Sequence, residues 1–269
     1  MPEAPPPTSL RVGAVSLELF SRGPASAERL LFLHDLDYLN NVSYPFVATL
    51  SETRQVVSPS HPGFGGSQLP EDFDSVEDLA CVYLDLLETT GPADVVGAGF
   101  GGWIAAEMAV RCTHHMRSLT LVDALGIKVS DRTTADIKDM FVLSPAELLE
   151  LCWHDSSVGK SHMPLPASSG IDEDTLTVLL TNRNTAALLG WNPFMHNPRL
   201  RRRLARINVP TLVVWGASDQ LVSPSYGRAF AESIPSATFV EVQAAGHYPY
   251  LEQPEAFVHT LTAFLDKTR

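Results

Sequence analysis

Four of the six residues from Gly97 to Gly102, in the stretch "VVGAGFGGWIAAEMA", are glycine, and two spacings with chemical meaning overlap there. Gly97, Gly99 and Gly102 fit G-x-G-x-x-G, the turn whose backbone cradles a pyrophosphate at a helix N-terminus. Gly97 and Gly101 equally fit G-x-S-x-G, the strand-to-helix turn that presents a nucleophilic serine, except that Gly99 stands where the serine should be. The dinucleotide reading has local support. An apolar strand-like run precedes Gly97, a helical run follows, and Asp123 ends the next strand-like run about 20 residues on, where an acid would meet a ribose hydroxyl. The wider chain weakens it. That fingerprint usually opens the first βαβ unit, whereas several strand-like runs precede this one, and a long helical block follows Leu125. It also leaves four other motifs unexplained: "LLFLHDL", "SPSHPGFGGSQLP", "LVVWGASDQLVSP" and "AAGHYPYLEQPEAF".

The elements that would position these residues alternate. Ser16–Phe20, Arg29–His34 and Arg54–Ser60 read as strands, Ser75–Gly91 as a helix stopping at its glycine, "ADVVGAG" as a strand, "FGGWIAAEMAVRC" as a helix and "SLTLVDAL" as a strand. From Gly126 to about Arg206 the signals are helical. Ser144-Pro145-Ala146-Glu147 is a capping box with proline at the first helical position, and "DEDTLTVLLTNRNTAALLGW" reads as a second helix or pair. The alternation returns with "PTLVVWG", "PSYGRAFAESI", "ATFVEVQ" and "PEAFVHTLTAFLDKT". Such alternation predicts a mostly parallel sheet covered on both faces.

Taken in order, the elbow and the four motifs resemble the α/β-hydrolase superfamily over about residues 10 to 267, and within it the capped branch of meta-cleavage-product (C–C) hydrolases and small esterases. The resemblance implies an eight-stranded, mostly parallel sheet with helices on both faces and an inserted helical cap. The core would comprise residues 10–125 and 207–269, the cap residues 126–206 and an N-terminal arm residues 1–9. It places Gly99 at a vacated nucleophile position, Asp219 as the acid and His247 as the general base. The N–H groups of Leu36 and Phe100 would form the oxyanion hole. A carboxylate at Asp219 would fix the tautomer of His247 and stabilise its charged form.

Two departures from the family pattern matter. Gly99 offers no hydroxyl, so no acyl-enzyme can form through it, and the lost side chain is expected to leave room for a water beside His247. Asp35 replaces a glycine beside the oxyanion donors. Pointing inward it would repel a developing oxyanion, so it is expected to point away or to bind a polar group of the substrate. His61, in place of a commoner aspartate, reads as structural, and His34 is normally structural in the family. His34, Asp35, Trp153, Trp191, Phe194, Met195 and Tyr248 are the candidate substrate-binding residues, since pockets are lined by such side chains. Trp153, Trp191, Phe194 and Met195 are equally well explained as cap core. His114, His115 and His259 carry no assignment. Convergence of His34, His154 and His247 with Asp35 on a metal has no supporting ligand spacing, so no metal site and no cofactor are expected.

Composition bounds the partners. A net charge of −12 disfavours nucleic acid, and the basic run Arg199–Arg206 reads as the solvated face of a helix, with an anion site as the minority reading. Cys81, Cys112 and Cys152 lie in apolar helix-like stretches and are expected to be buried and inert. Together with an N-terminus "MPEAPPPTSL" that lacks signal-peptide character, this suits a cytoplasmic protein. No apolar run reaches the ~18 residues a membrane span needs. A small-molecule substrate is expected, and a homodimer is left open. Three functions fit an elbow without its serine: an enzyme using water activation or proton transfer through Asp219 and His247, a serine hydrolase whose nucleophile has been replaced, and a non-catalytic ligand-binding protein on the same fold.

Overall fold

The computed structural model describes residues 6–36, 44–162 and 173–268. Eight strands run β1 Thr8–Val12, β2 Val15–Arg22, β3 Arg29–Leu33, β4 Gln55–Pro59, β5 Ala93–Ala98, β6 Met116–Val122, β7 Thr211–Gly216 and β8 Ala237–Val242. They form one sheet in the order β1-β2-β4-β3-β5-β6-β7-β8. β1/β2 and β2/β4 pair antiparallel, and every other pair is parallel. β1 is a correction to the sequence reading, because the expected arm over residues 1–9 already enters the sheet at Thr8. Residues 1–5 of that arm lie outside the described residues.

The helices are α1 Pro45–Leu50, α2 Val76–Thr90, α3 Gly99–Arg111, α4 Pro145–Cys152, α5 Ser156–His162, α6 Glu173–Gly190, α7 Leu200–Arg203, α8 Pro224–Glu232, α9 Pro249–Glu252 and α10 Pro254–Leu265. The sequence signals act as expected. Asp78 accepts from the Ser75 N–H to open α2, Gly91 ends it at φ +87°, and Ser144 and Glu147 close a capping box on α4. The basic run becomes α7 and a 3₁₀ turn, with Leu200 and Leu204 buried and most of its arginines toward solvent. Cys152 is buried as expected, but Cys81 and Cys112 are exposed.

Every residue of β5 and β7 is buried, which requires cover on both faces of the sheet. α2 and α3 pack together, and α1, α9 and α10 form a second group. Phe32 of β3 meets Phe46 and Tyr250 of that second group at ring distances of 5.1 and 5.9 Å. β3 has β4 on one side and β5 on the other, so the strand order reverses there. The crevice at the carboxyl ends of β3 and β5 is where open α/β sheets bind ligands, because successive loops diverge at such a point. Between β6 and β7 the described residues hold α4 to α7, the 3₁₀ turn and isolated bridges only.

Candidate active site

β5 ends at Ala98 and α3 starts at Gly99, whose φ of +49° lies in the left-handed region that favours glycine. Gly101 lets the first turn of α3 lie against the end of β3, since a Cβ there would come 2.2 Å from the Leu33 carbonyl oxygen and 2.4 Å from that of His34. This close approach brings the Phe100 N–H to the segment that follows β3. The space above Gly99 is taken by the carboxylate of Asp35. A Cβ on Gly99 would stand 1.9 Å from its Oδ1, 2.1 Å from its Cγ and 2.6 Å from its Oδ2. The Phe100 N–H donates to Asp35 Oδ1 at 2.6 Å. One expectation is corrected: the room foreseen for a water beside His247 holds the inward-pointing Asp35 side chain. Of the two foreseen oxyanion donors, the Phe100 N–H is turned on that carboxylate, which offers it an acceptor that the usual glycine would lack, and Leu36 lines the neighbouring cavity.

His247 lies on the far side of this carboxylate. Its Nε2 is 3.3 Å from Asp35 Oδ2, close enough for charge interaction but without the alignment of a hydrogen bond. Its Nδ1 bonds Asp219 Oδ2 at 2.7 Å. Asp219 is oriented by the turn after β7, with its Oδ1 accepting from the N–H groups of Leu221 and Val222 at 2.9 and 3.0 Å. Behind it Asp123, at φ +43°, accepts the Gly216 N–H through Oδ1 and keeps Oδ2 without a partner. Burial and the neighbouring Asp219 push Asp123 well above the usual carboxylate range, so it holds its proton near neutrality. Burial opposes charge on His247, but Asp219 and Asp35 outweigh it and hold the imidazole well above its usual range. Burial likewise opposes charge on Asp35, yet His247 and the Phe100 N–H outweigh it and keep the acid below its usual range. His247 and Asp35 thus each favour the charged form of the other, with Asp219 on the opposite side of the imidazole.

His34 and His61 form the floor. Their rings stack at 4.0 Å. His34 Nδ1–H donates to the Asp35 carbonyl oxygen at 2.6 Å and His34 Nε2 accepts from the His61 N–H at 3.4 Å. His61 is held between the His34 carbonyl and the Tyr83 hydroxyl. Burial lowers His34 to about 4 and His61 well below its usual value, so both are neutral supports. His34 thus backs Asp35 and does not face substrate. His154 is exposed and pairs with Ser218, away from His34 and His247.

A cavity of about 50 Å³ opens above the site. Asp35, Leu36, Leu221 and Tyr248 line it from the sheet side; Leu148 and Cys152 of α4, Phe141, and Asn182, Arg183 and Ala186 of α6 line it from the β6–β7 insertion. Among the foreseen substrate-binding residues, Asp35 and Tyr248 reach the cavity. Trp153 is buried behind Tyr248 at a ring distance of 4.9 Å. Trp191 is 52% exposed and packs on Phe141 and Phe194, while Met195 is buried near Gly190, and none of these three lines the cavity. The α6 contribution went unforeseen, although Leu179, Asn182, Ala186 and Leu189 are buried at the helical spacing of one face.

A model of the Alpha/beta hydrolase family matches residues 30–260. The chain belongs to that family. Lipase 3 of Moraxella sp. (strain TA144) is 25% identical over 256 residues, covering 90% of this chain and 78% of the lipase. The 2-hydroxymuconate semialdehyde hydrolase of Pseudomonas putida is 27% identical over 229 residues, covering 80% and 78%. Among solved structures, the meta-cleavage product hydrolase of Pseudomonas fluorescens IP01 superposes with a TM-score of 0.78 at 18% identity, covering 97% of this chain and 98% of that one. The eight-stranded, mostly parallel sheet agrees with that family; in it a tight turn joins β5 to α3, and Asp219 and His247 follow β7 and β8. No helix among its described residues is long and apolar enough to cross a membrane.

Proposed function

We propose that this α/β hydrolase is a serine-free enzyme that hydrolyses a small, partly apolar acyl or carbonyl compound, with Asp219 and His247 moving the protons and residues 126–206 acting as a cap over the cavity. One observation carries the reading: a buried carboxylate, and not a vacancy, stands over Gly99 and between the cavity and His247. A replaced serine is not needed to explain the site, because the Asp35 carboxylate already stands 1.9–2.6 Å from where a Cβ on residue 99 would be. A purely ligand-binding role gives no reason to bury an imidazole between two carboxyl side chains, an arrangement that is costly to desolvate and useful for proton transfer.

The test is turnover of a panel of short-chain aryl esters, thioesters and vinylogous diketones by the wild type and by His247→Ala, alongside labelling with a fluorophosphonate that traps active serines. Turnover that needs His247 and persists after fluorophosphonate treatment is expected. Covalent capture of a serine, or turnover that is indifferent to His247→Ala, would overturn the proposal.

A further inference from the structure

We propose that Asp35 is the covalent nucleophile of this site, delivered from the loop after β3 into the volume a serine would fill; the inference rests on the hydrolytic reading above. Three observations converge on it. The Asp35 carboxylate atoms lie 1.9–2.6 Å from where a Cβ on Gly99 would be, which places them in the space of the missing side chain. Both Asp35 and His247 are buried, but the cavity is lined by Asp35 and not by His247, so a substrate there meets the carboxylate first. The side chain is held from both sides, by the Phe100 N–H on Oδ1 and by His247 Nε2 at 3.3 Å from Oδ2. Carboxylates serve as nucleophiles where a neighbouring acid can protonate the leaving group.

The chemistry balances without a cofactor. A carboxylate oxygen of Asp35 bonds to the acyl carbon, the bond from that carbon to the leaving heteroatom breaks, and the imidazolium of His247 gives its Nε2 proton to the departing alcohol or thiol. The product of this half is a neutral acyl–aspartyl anhydride beside a neutral imidazole. With the Asp35 charge gone, His247 becomes a base. It takes a proton from water as the water oxygen bonds to Cγ of Asp35, and the displaced electron pair settles on the carboxyl oxygen to which the Phe100 N–H already donates. Collapse breaks the bond from Cγ to the bridging oxygen and releases the acyl group as a carboxylate. Asp35 is left protonated beside an imidazolium and loses its proton to solvent. The sum is acyl donor plus water giving carboxylate, proton and alcohol or thiol. A carboxylate is a weak nucleophile and itself a good leaving group, so the first step goes forward only when the departing group is also good. The substrate class is accordingly an activated acyl donor, a thioester or an aryl or enol ester, in preference to a simple alkyl ester.

The decisive experiment is a single turnover of p-nitrophenyl butyrate by excess enzyme in H₂¹⁸O, followed by mass analysis of the peptide that contains Asp35 and of the released butyrate. One ¹⁸O on Asp35 and none on the butyrate is expected. In His247→Gln, where the activated leaving group needs no acid, one equivalent of p-nitrophenolate should be released and a butyryl group should remain on Asp35. An acyl adduct on Asp35 supports the proposal wherever the label falls. Label confined to butyrate, with no adduct in the variant, overturns it while leaving a serine-free hydrolase intact. No turnover of any ester or thioester overturns the Asp35 proposal, and no turnover of the vinylogous diketones as well overturns both readings.

Discussion

At the scale of residues, Gly99 and Asp35 are mutually exclusive with a serine, and this can be tested directly. Gly99→Ser places a Cβ 1.9 Å from Asp35 Oδ1 at a φ of +49°, so Asp35 must abandon the Phe100 N–H. We expect a loss of about 2–3 kcal/mol, visible as a lower Tm, and no fluorophosphonate labelling. The double variant Asp35→Gly/Gly99→Ser removes the clash and should recover stability and accept the label. The charge states give a second prediction. Because Asp35 is held below its ordinary value of 3.8 and His247 above its ordinary value of 6.5, the ion pair spans neutrality and turnover should show no limb near pH 6.5. A pH–rate profile rising through 6.5 would instead mark His247 as an ordinary free base. His34 has the opposite effect on stability. Its folded value is lowered from 6.5 to about 4, so the unfolded chain binds more protons between these values and stability falls as pH drops from 6.5 toward 4. His34→Gln should flatten that part of the stability–pH curve, measured by denaturant titration.

At the scale of elements, the carboxyl end of α4 ties the loops of Asp219 and His247 together. The Leu151 carbonyl accepts the Gln220 N–H at 3.0 Å beside Asp219, and the Cys152 carbonyl accepts the His247 N–H at 2.7 Å. Helix-end carbonyls lack intrahelical partners, so these bonds satisfy both sides at once. Gly246 permits the approach, since a Cβ there would lie 2.3 Å from the Cys152 oxygen. Gly246→Ala should therefore push α4 away from His247 and lower kcat, whereas Ser144→Ala at the opposite end should cost about 1 kcal/mol of stability through loss of the cap. Steady-state kinetics and thermal melts on the pair separate positioning from stability.

At the scale of the whole molecule, the β6–β7 insertion is docked on the sheet by α6. Asn182 Oδ1 accepts the Gly65 N–H at 3.0 Å and the Thr185 hydroxyl donates to the Gly63 carbonyl at 2.9 Å, both in the loop that follows β4. The same helix lines the cavity through Asn182, Arg183 and Ala186. Asn182→Ala should loosen this docking and raise KM several-fold with kcat little changed, because it touches the cavity wall and not the proton-handling groups.

Read from sequence, the strand and helix alternation, the tight turn between β5 and α3 and the cap of α4 were legible, since each depends on local pattern: apolar runs for buried strands, a capping box at Ser144, and glycines where backbones must touch. β1 escaped notice because an edge strand of five residues, paired on one side, needs little apolar character. The cavity wall from α6 and the exposure of Trp191 depended on which helix face the insertion turns inward, and composition does not encode that. The inward turn of Asp35 was decided only by tertiary structure. Its partners lie on segments far apart in the chain, the Phe100 N–H that donates to it at the start of α3 and His247 after β8, and only their convergence at the reversal between β3 and β5 gives a carboxylate a reason to occupy the space that Gly99 leaves.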